Sequence, residues 1–210
     1  MYDLLIKNGQ VIDPHSGINA VNDVAIADGL ISRVAAEIPS EEANRVIDVK
    51  GKIVTPGLID LHTHVYSGVN GNGVKADVGG IYAGVTTMVD AGSSGCDTYG
   101  GFPEHIIPNN DTEIIPFLHI CRTGLATTPD IFSPSSIDLD KTIQTVEESK
   151  GVIRGIKARM VSPALEIMGM EMPRMAKRAA KEAGVKLMVH IGDTEKKYDA
   201  NVIRELLPIL

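Results

Sequence analysis

Thr55-Pro56-Gly57-Leu58-Ile59-Asp60-Leu61-His62-Thr63-His64 sets two imidazoles two residues apart at the end of an apolar run. Pro56-Gly57 breaks the chain ahead of the run, and a glycine-rich loop from Ser67 to Gly73 follows it. Side chains alternate faces along a strand, so His62 and His64 share a face and can direct their nitrogens at one ion. Two neutral imidazoles on one rigid strand suit Zn²⁺ or another borderline divalent metal. The bare pair equally describes two ordinary histidines at a strand end. Its setting favours the metal.

The same residues carry a resemblance. Pro56-Gly57-Leu58-Ile59-Asp60-Leu61-His62-Thr63-His64, about fifty residues in and behind a β-rich lead, is similar to the first barrel strand of the amidohydrolase superfamily. The branch it most resembles holds dihydroorotases, hydantoinases and related deacetylases. The resemblance implies an α/β fold, a (β/α)₈ TIM barrel with its metal centre at the C-terminal ends of the strands. A small N-terminal β-sheet domain accompanies it.

Composition sets the outer limits. The chain has 210 residues, 43% of them hydrophobic and 22% charged, with a net charge of −7. That describes a soluble globular protein with a sizeable core. The acidic balance argues against nucleic acid or an anionic membrane surface as partner. No apolar run is long enough to span a bilayer, and the N-terminus lacks a basic region followed by an apolar stretch. Cys96 and Cys121 have no metal-motif spacing and read as free thiols of a reducing cytoplasm. The expected partners are a small-molecule substrate and, for the full-length protein, further copies of itself.

Residues 1–52 read as short strands: Tyr2–Lys7 closed by a turn at Asn8-Gly9, Gln10–Asp13, a hairpin of Asp23–Ile26 and Leu30–Val34 around Asp28-Gly29, and Arg45–Val49 before the turn Lys50-Gly51. This predicts a small antiparallel sheet. From residue 53 to 210, strands at 53–64, 85–91, 113–120, 152–159 and 186–192 alternate with helical periodicity at 74–83, 138–149, 164–183 and 199–207. Alternating βα units imply a parallel sheet with helices outside. About five units are present, and the pattern is in mid-course at Leu210. An eight-stranded barrel typically takes about 250 residues, so the expectation is a chain truncated at its C-terminus.

The resemblance also implies a ligand set. A carboxylated lysine belongs at the end of the fourth strand, where Lys157 stands in Val152-Ile-Arg-Gly-Ile-Lys157-Ala-Arg159. A lysine desolvated near metal favours its neutral amine, which can capture CO₂ as a carbamate able to bridge two ions. Position alone leaves a surface lysine equally open. The fifth strand should give a histidine, and His190 ends the apolar run Lys186-Leu-Met-Val-His190. The expected metal ligands are therefore His62, His64, Lys157 and His190, holding two divalent ions, with Zn²⁺ the expected identity. A further histidine and the general-base aspartate belong to later strands beyond residue 210. Asp193 sits in the wrong loop to replace that aspartate. No catalytic residue is therefore expected within this chain, and the 210 residues alone are expected to be inactive. His119 ends the third strand facing the mouth, where a role behind the ligands is open; His15 and His105 read as solvated.

The implied chemistry is metal-assisted hydrolysis of an amide, cyclic amide or ester through a metal-bridging hydroxide. Dihydroorotases usually carry an arginine two residues after the second histidine to grip the substrate carboxylate. Tyr66 stands there instead, which points toward the deacetylase-like members and makes Tyr66 a candidate substrate contact. Arg122 and Arg159 can bind a substrate anion or serve as ion-pair partners. Ser93 and Ser94 can line the mouth as donors, and no nucleophile-elbow pattern surrounds them. The alternative is a non-catalytic, oligomerising amidohydrolase-like scaffold, but such relatives lose their metal ligands. A phosphate-binding barrel is disfavoured, because no Gly-rich loop opens a helix.

Overall fold

The computed structural model describes residues 1–192 and 200–209. The chain divides into two compact units, Met1–Leu58 and Ile59–Leu210.

The first unit is a five-stranded sheet built from β1 (Leu4–Asp13), β2 (Ile18–Ala27), β3 (Leu30–Ala35), β4 (Val46–Asp48) and β5 (Ile53–Val54). Asp28-Gly29 closes the β2–β3 hairpin, both residues at positive φ, as a two-residue turn of that type requires. The sheet is mixed rather than antiparallel: β1 pairs antiparallel with β2 but parallel with β4 and β5. Asn8-Gly9 makes no turn either, for β1 runs through it. Asn8 sits at φ 64 and the β1–β2 register slips between Ile6 and Gly9. The pair that reads as a hairpin forms a bulge instead. Gly9 is needed there because a Cβ would stand 2.5 Å from a Val54 methyl. Leu5, Ala25 and Ile38 form the unit's core.

The second unit holds five parallel strands in the order β10-β9-β8-β7-β6, neighbours in space as in sequence. They are β6 (Leu58–Thr63), β7 (Val85–Ala91), β8 (Glu113–His119), β9 (Gly155–Arg159) and β10 (Lys186–His190). This is a curled half-barrel, the first five strands of a (β/α)₈ architecture. The strand expected at 53–64 is two strands: β5 joins the small sheet, Pro56-Gly57 interrupts, and β6 opens the barrel.

Helices cover the outer face: α1 (Ala76–Gly79), α2 (Leu139–Glu148), α3 (Ala164–Met168), α4 (Glu171–Glu182) and α5 (Ala200–Leu206). Asp138 caps α2 by accepting from the Lys141 N–H. The helix expected over 164–183 is broken at Gly169, which sits at φ 55. The one expected over 74–83 shrinks to a single turn and a 3₁₀ segment at Ile81–Ala83. Leu118, Ile156 and Ala158 point outward into a core with Met172, Ala176 and Ala179 of α4. Alternation along the strands therefore turns His119, Lys157 and Arg159 to the inner face. Among the described residues no helix is long and apolar enough to cross a membrane.

Candidate metal centre

The C-terminal ends of the barrel strands gather the imidazoles and the lysine. His62 lies within β6 and His64 one residue past it. Their ring centroids are 5.7 Å apart, and His62 stands 6.1 Å from His190, the last residue of β10. Lys157, in the middle of β9, is 1% exposed and brings its Nζ to 3.3 Å from His62 Nε2. Among the described residues no three His, Cys, Asp or Glu side chains close on a common point. The rings are spread around the lysine instead.

Electrostatics keep this cluster poor in protons. Burial, and then the Arg159 charge, lower the Lys157 amine to about 8, with Asp90 acting weakly against them. Burial and the neighbouring His62 lower His64 to about 4. His62 and His190 are lowered too, burial first and then the Lys157 charge, although a hydrogen bond to Gly192 opposes the shift at His190. Neutral imidazoles and an accessible neutral amine are the forms that bind metal and CO₂.

Hydrogen bonds fix the rings. His64 Nδ1 meets Ser93 Oγ at 3.1 Å, and Asn70 Nδ2 donates to the same oxygen. His190 Nε2 donates to the Gly192 carbonyl at 2.7 Å, so its Nδ1 keeps a lone pair. Asp90, fully buried, accepts the N–H groups of both Val65 and Ser93 at 2.7 Å, tying the end of β6 to the loop after β7. Burial raises its carboxyl to about 6 despite those bonds. Gly92 lies against the lysine at φ 85: a Cβ there would stand 2.7 Å from Lys157 Cβ and 3.1 Å from His119 Cδ2.

The structure separates the other candidates. Ser93 is buried behind His64 rather than lining an open mouth. Ser94 is also buried, and its hydroxyl has no hydrogen-bond partner among the described residues. Tyr66 engages its hydroxyl with the Thr98 carbonyl and packs its ring on Phe102 at 5.0 Å. It packs against a hydrophobic cluster around Phe102. Arg122 is held by Asp97 at 2.9 Å, an acid it shares with Lys141. Arg159 faces Asp130 at 3.5 Å. His15 and His105 are exposed, Cys96 and Cys121 are free and buried, and Asp193 lies outside the described residues.

Sequence reading missed Asp90, Gly92, Asn70 and Asp130. For the first two the signal is present: a carboxylate stands next to last in the strand Val85–Ala91 and a glycine follows it. Asn70 and Asp130 sit in loops that carry no pattern.

Comparison with known proteins bears on this arrangement. The family described as "Amidohydrolase family" matches residues 45–99. A deacetylase of Agrobacterium fabrum is 33% identical over 186 residues, covering 87% of this chain and 44% of its own length. The crystal structure of a dihydroorotase superposes with a TM-score of 0.82 at 29% identity, over all of this chain and 55% of that one. An adenine deaminase gives a TM-score of 0.79 at 29% identity over 92% of this chain and 51% of its own. The chain thus spans about half the length of the proteins it matches.

Proposed function

The chain belongs to the amidohydrolase superfamily, and we propose that it is the metal-binding half of a hydrolase acting on an amide, cyclic amide or ester bond of a small acylated molecule. The observation that supports this most is Lys157: a lysine 1% exposed, 3.3 Å from His62 Nε2, with its amine lowered to about 8. At neutral pH such an amine is unprotonated in roughly a tenth of molecules, against fewer than about one in a thousand for an ordinary lysine. The neutral fraction is what CO₂ captures as a carbamate.

The donor set fits divalent metal, Zn²⁺ foremost: three neutral imidazoles and a lysine whose carbamate would add two oxygens. The 5.7 Å between the His62 and His64 rings suits two ligands of one ion, and His190 stands 6.1 Å from His62 on the other side. When bound, such ions polarise a carbonyl and bring the pKa of water toward neutrality. His62 and His64 would hold one ion, His190 the other, with Lys157 between them. Ser93 orients His64 by accepting its Nδ1 proton, so that Nε2 is presented. Asp90 fixes the loop on which Ser93 rides.

The test uses the full-length, metal-loaded protein with N-acetyl amino acids, acetyl esters and cyclic amides. Hydrolysis of at least one class is expected. Lys157→Ala should lose metal and activity together, and short carboxylic acids with added metal should restore part of the activity. Full metal content in Lys157→Ala rejects the bridging role. A wild type that binds no metal favours the non-catalytic scaffold.

A further inference from the structure

Beside the proposed ligands lies a second group of ionisable side chains with no part in holding metal. His119 ends β8 and is the register partner of Lys157 on β9, so the two are neighbours on the inner face. It is 0% exposed. Its Nδ1 accepts the Cys121 N–H at 3.0 Å, which turns Nε2 to the opposite side of the ring. That nitrogen stands 3.3 Å from Asp130 Oδ2, an ion-pair contact, and neither atom has a hydrogen-bond partner among the described residues. Asp130 is 2% exposed, and its other oxygen lies 3.5 Å from Arg159 Nη1. Burial works against its charge, but His119 and Arg159 outweigh burial and hold its carboxyl below the ordinary range.

Arg159 is the outlet of this chain of contacts. Its side chain is 32% exposed, whereas the two behind it are buried. It lies two residues past Lys157 on the same face of β9, roughly 7 Å further toward the mouth, and pairs in register with His190. A buried carboxylate 3.5 Å from one guanidinium nitrogen draws that planar fork toward it before any ligand arrives. This preorganisation reduces the entropy lost on binding. Arg122, the other arginine near the mouth, is drawn instead into a surface cluster with Asp97, Asp138 and Lys141.

We propose that His119 and Asp130 are positioning residues that aim Arg159, and that Arg159 binds a carboxylate of the substrate, so that the substrates are acylated small molecules carrying an anionic group. The assignment rests on the hydrolase reading for its chemistry, but the anion subsite has its own readout.

The experiment compares N-acetyl amino acids with their neutral carboxamides in the full-length, metal-loaded protein. The free acids should be preferred, with the difference in KM. Arg159→Ala should lower kcat/KM roughly 10- to 100-fold for the acids, the range of a charge-assisted bidentate contact, and leave the carboxamides little changed. Arg159→Lys should recover part of the loss. Asp130→Asn should raise KM for the acids selectively, as a merely structural lesion would not. Because a buried substitution can impair folding, the exposed Arg159 variants decide the question if Asp130→Asn is unstable. Equal losses on acids and carboxamides, or an acid preference that survives Arg159→Ala, overturns the proposal. If nothing is hydrolysed, calorimetric binding of N-acetyl amino acids still decides it. Binding that Arg159→Ala weakens keeps the subsite while the hydrolase reading falls; no binding, or binding that ignores Arg159, removes the subsite.

Discussion

Lys157 shows what one buried amine asks of its surroundings. Its stem fits because Gly92 leaves the space a Cβ would fill, and its charge is disfavoured by burial and by Arg159. A protein that needed only stability would exclude such a group, since buried charge is costly unless paired. The same reasoning separates His64 from an ordinary core histidine. Its Nδ1 is occupied by a serine that is itself held, through its backbone N–H, by a fully buried aspartate. Groups of this kind, which orient a ligand without touching metal, typically change metal affinity 10- to 100-fold. Ser93→Ala in the full-length protein should therefore weaken metal binding by about that factor while the fold is retained, as read by chelator competition with circular dichroism alongside. Unaltered affinity would make Ser93 a packing residue. His62, His64, Lys157 and His190 could be picked out from the sequence as candidates because each ends or interrupts an apolar run, and the fold brings them to one end of the sheet. The place of Tyr66 against Phe102 was not legible, because the residue lies past the end of β6. Spacing along a strand says nothing once the strand has ended.

At the scale of elements, periodicity located the barrel strands well and the short helices poorly. Strands β7 to β9 are largely buried and β10 half-buried, and their apolar runs reflect that burial. The helix expected over 74–83 is interrupted by Gly79-Gly80, and the one over 164–183 by Gly169-Met170. The small sheet was read as antiparallel because turns were recognised and pairings were not: Lys50-Gly51 turns the chain, yet β4 and β5 both pair with β1. Asp23 on β2 ties β1 and the segment around Ile38 together within this unit. It accepts the N–H groups of Asn8 and Ile38 and lies 3.2 Å from Lys7 Nζ. Burial raises its pKa, but those bonds and the Lys7 charge outweigh burial, so the net shift is downward from 3.8. A depressed carboxyl adds stability that is complete above the unfolded pKa and is lost as pH falls through the folded one. Asp23→Asn should therefore destabilise the protein by about 1–3 kcal/mol at neutral pH. The difference should shrink below about pH 4. Denaturation of both proteins across that range checks this, and a pH-independent difference would contradict it.

For the whole molecule, the superfamily could be read from ten residues, whereas the network behind the proposed ligands could not, because it is assembled from loops brought together by strand order. The five parallel strands leave β6 and β10 as the outermost members of their sheet. On β6, Ile59 and Leu61 are 59% and 65% exposed. Unpaired strand edges with apolar side chains template association. The 210 residues by themselves should therefore self-associate in sedimentation velocity, and a monodisperse monomer would contradict that expectation. The central claim is that His62, His64, Lys157 and His190 together form a two-metal centre. Elemental analysis of the purified full-length protein beside its Lys157→Ala variant tests it most directly. The account predicts close to two equivalents of divalent metal per wild-type chain and at most one in the variant. A wild type without metal, or a variant that retains the full complement, would contradict it.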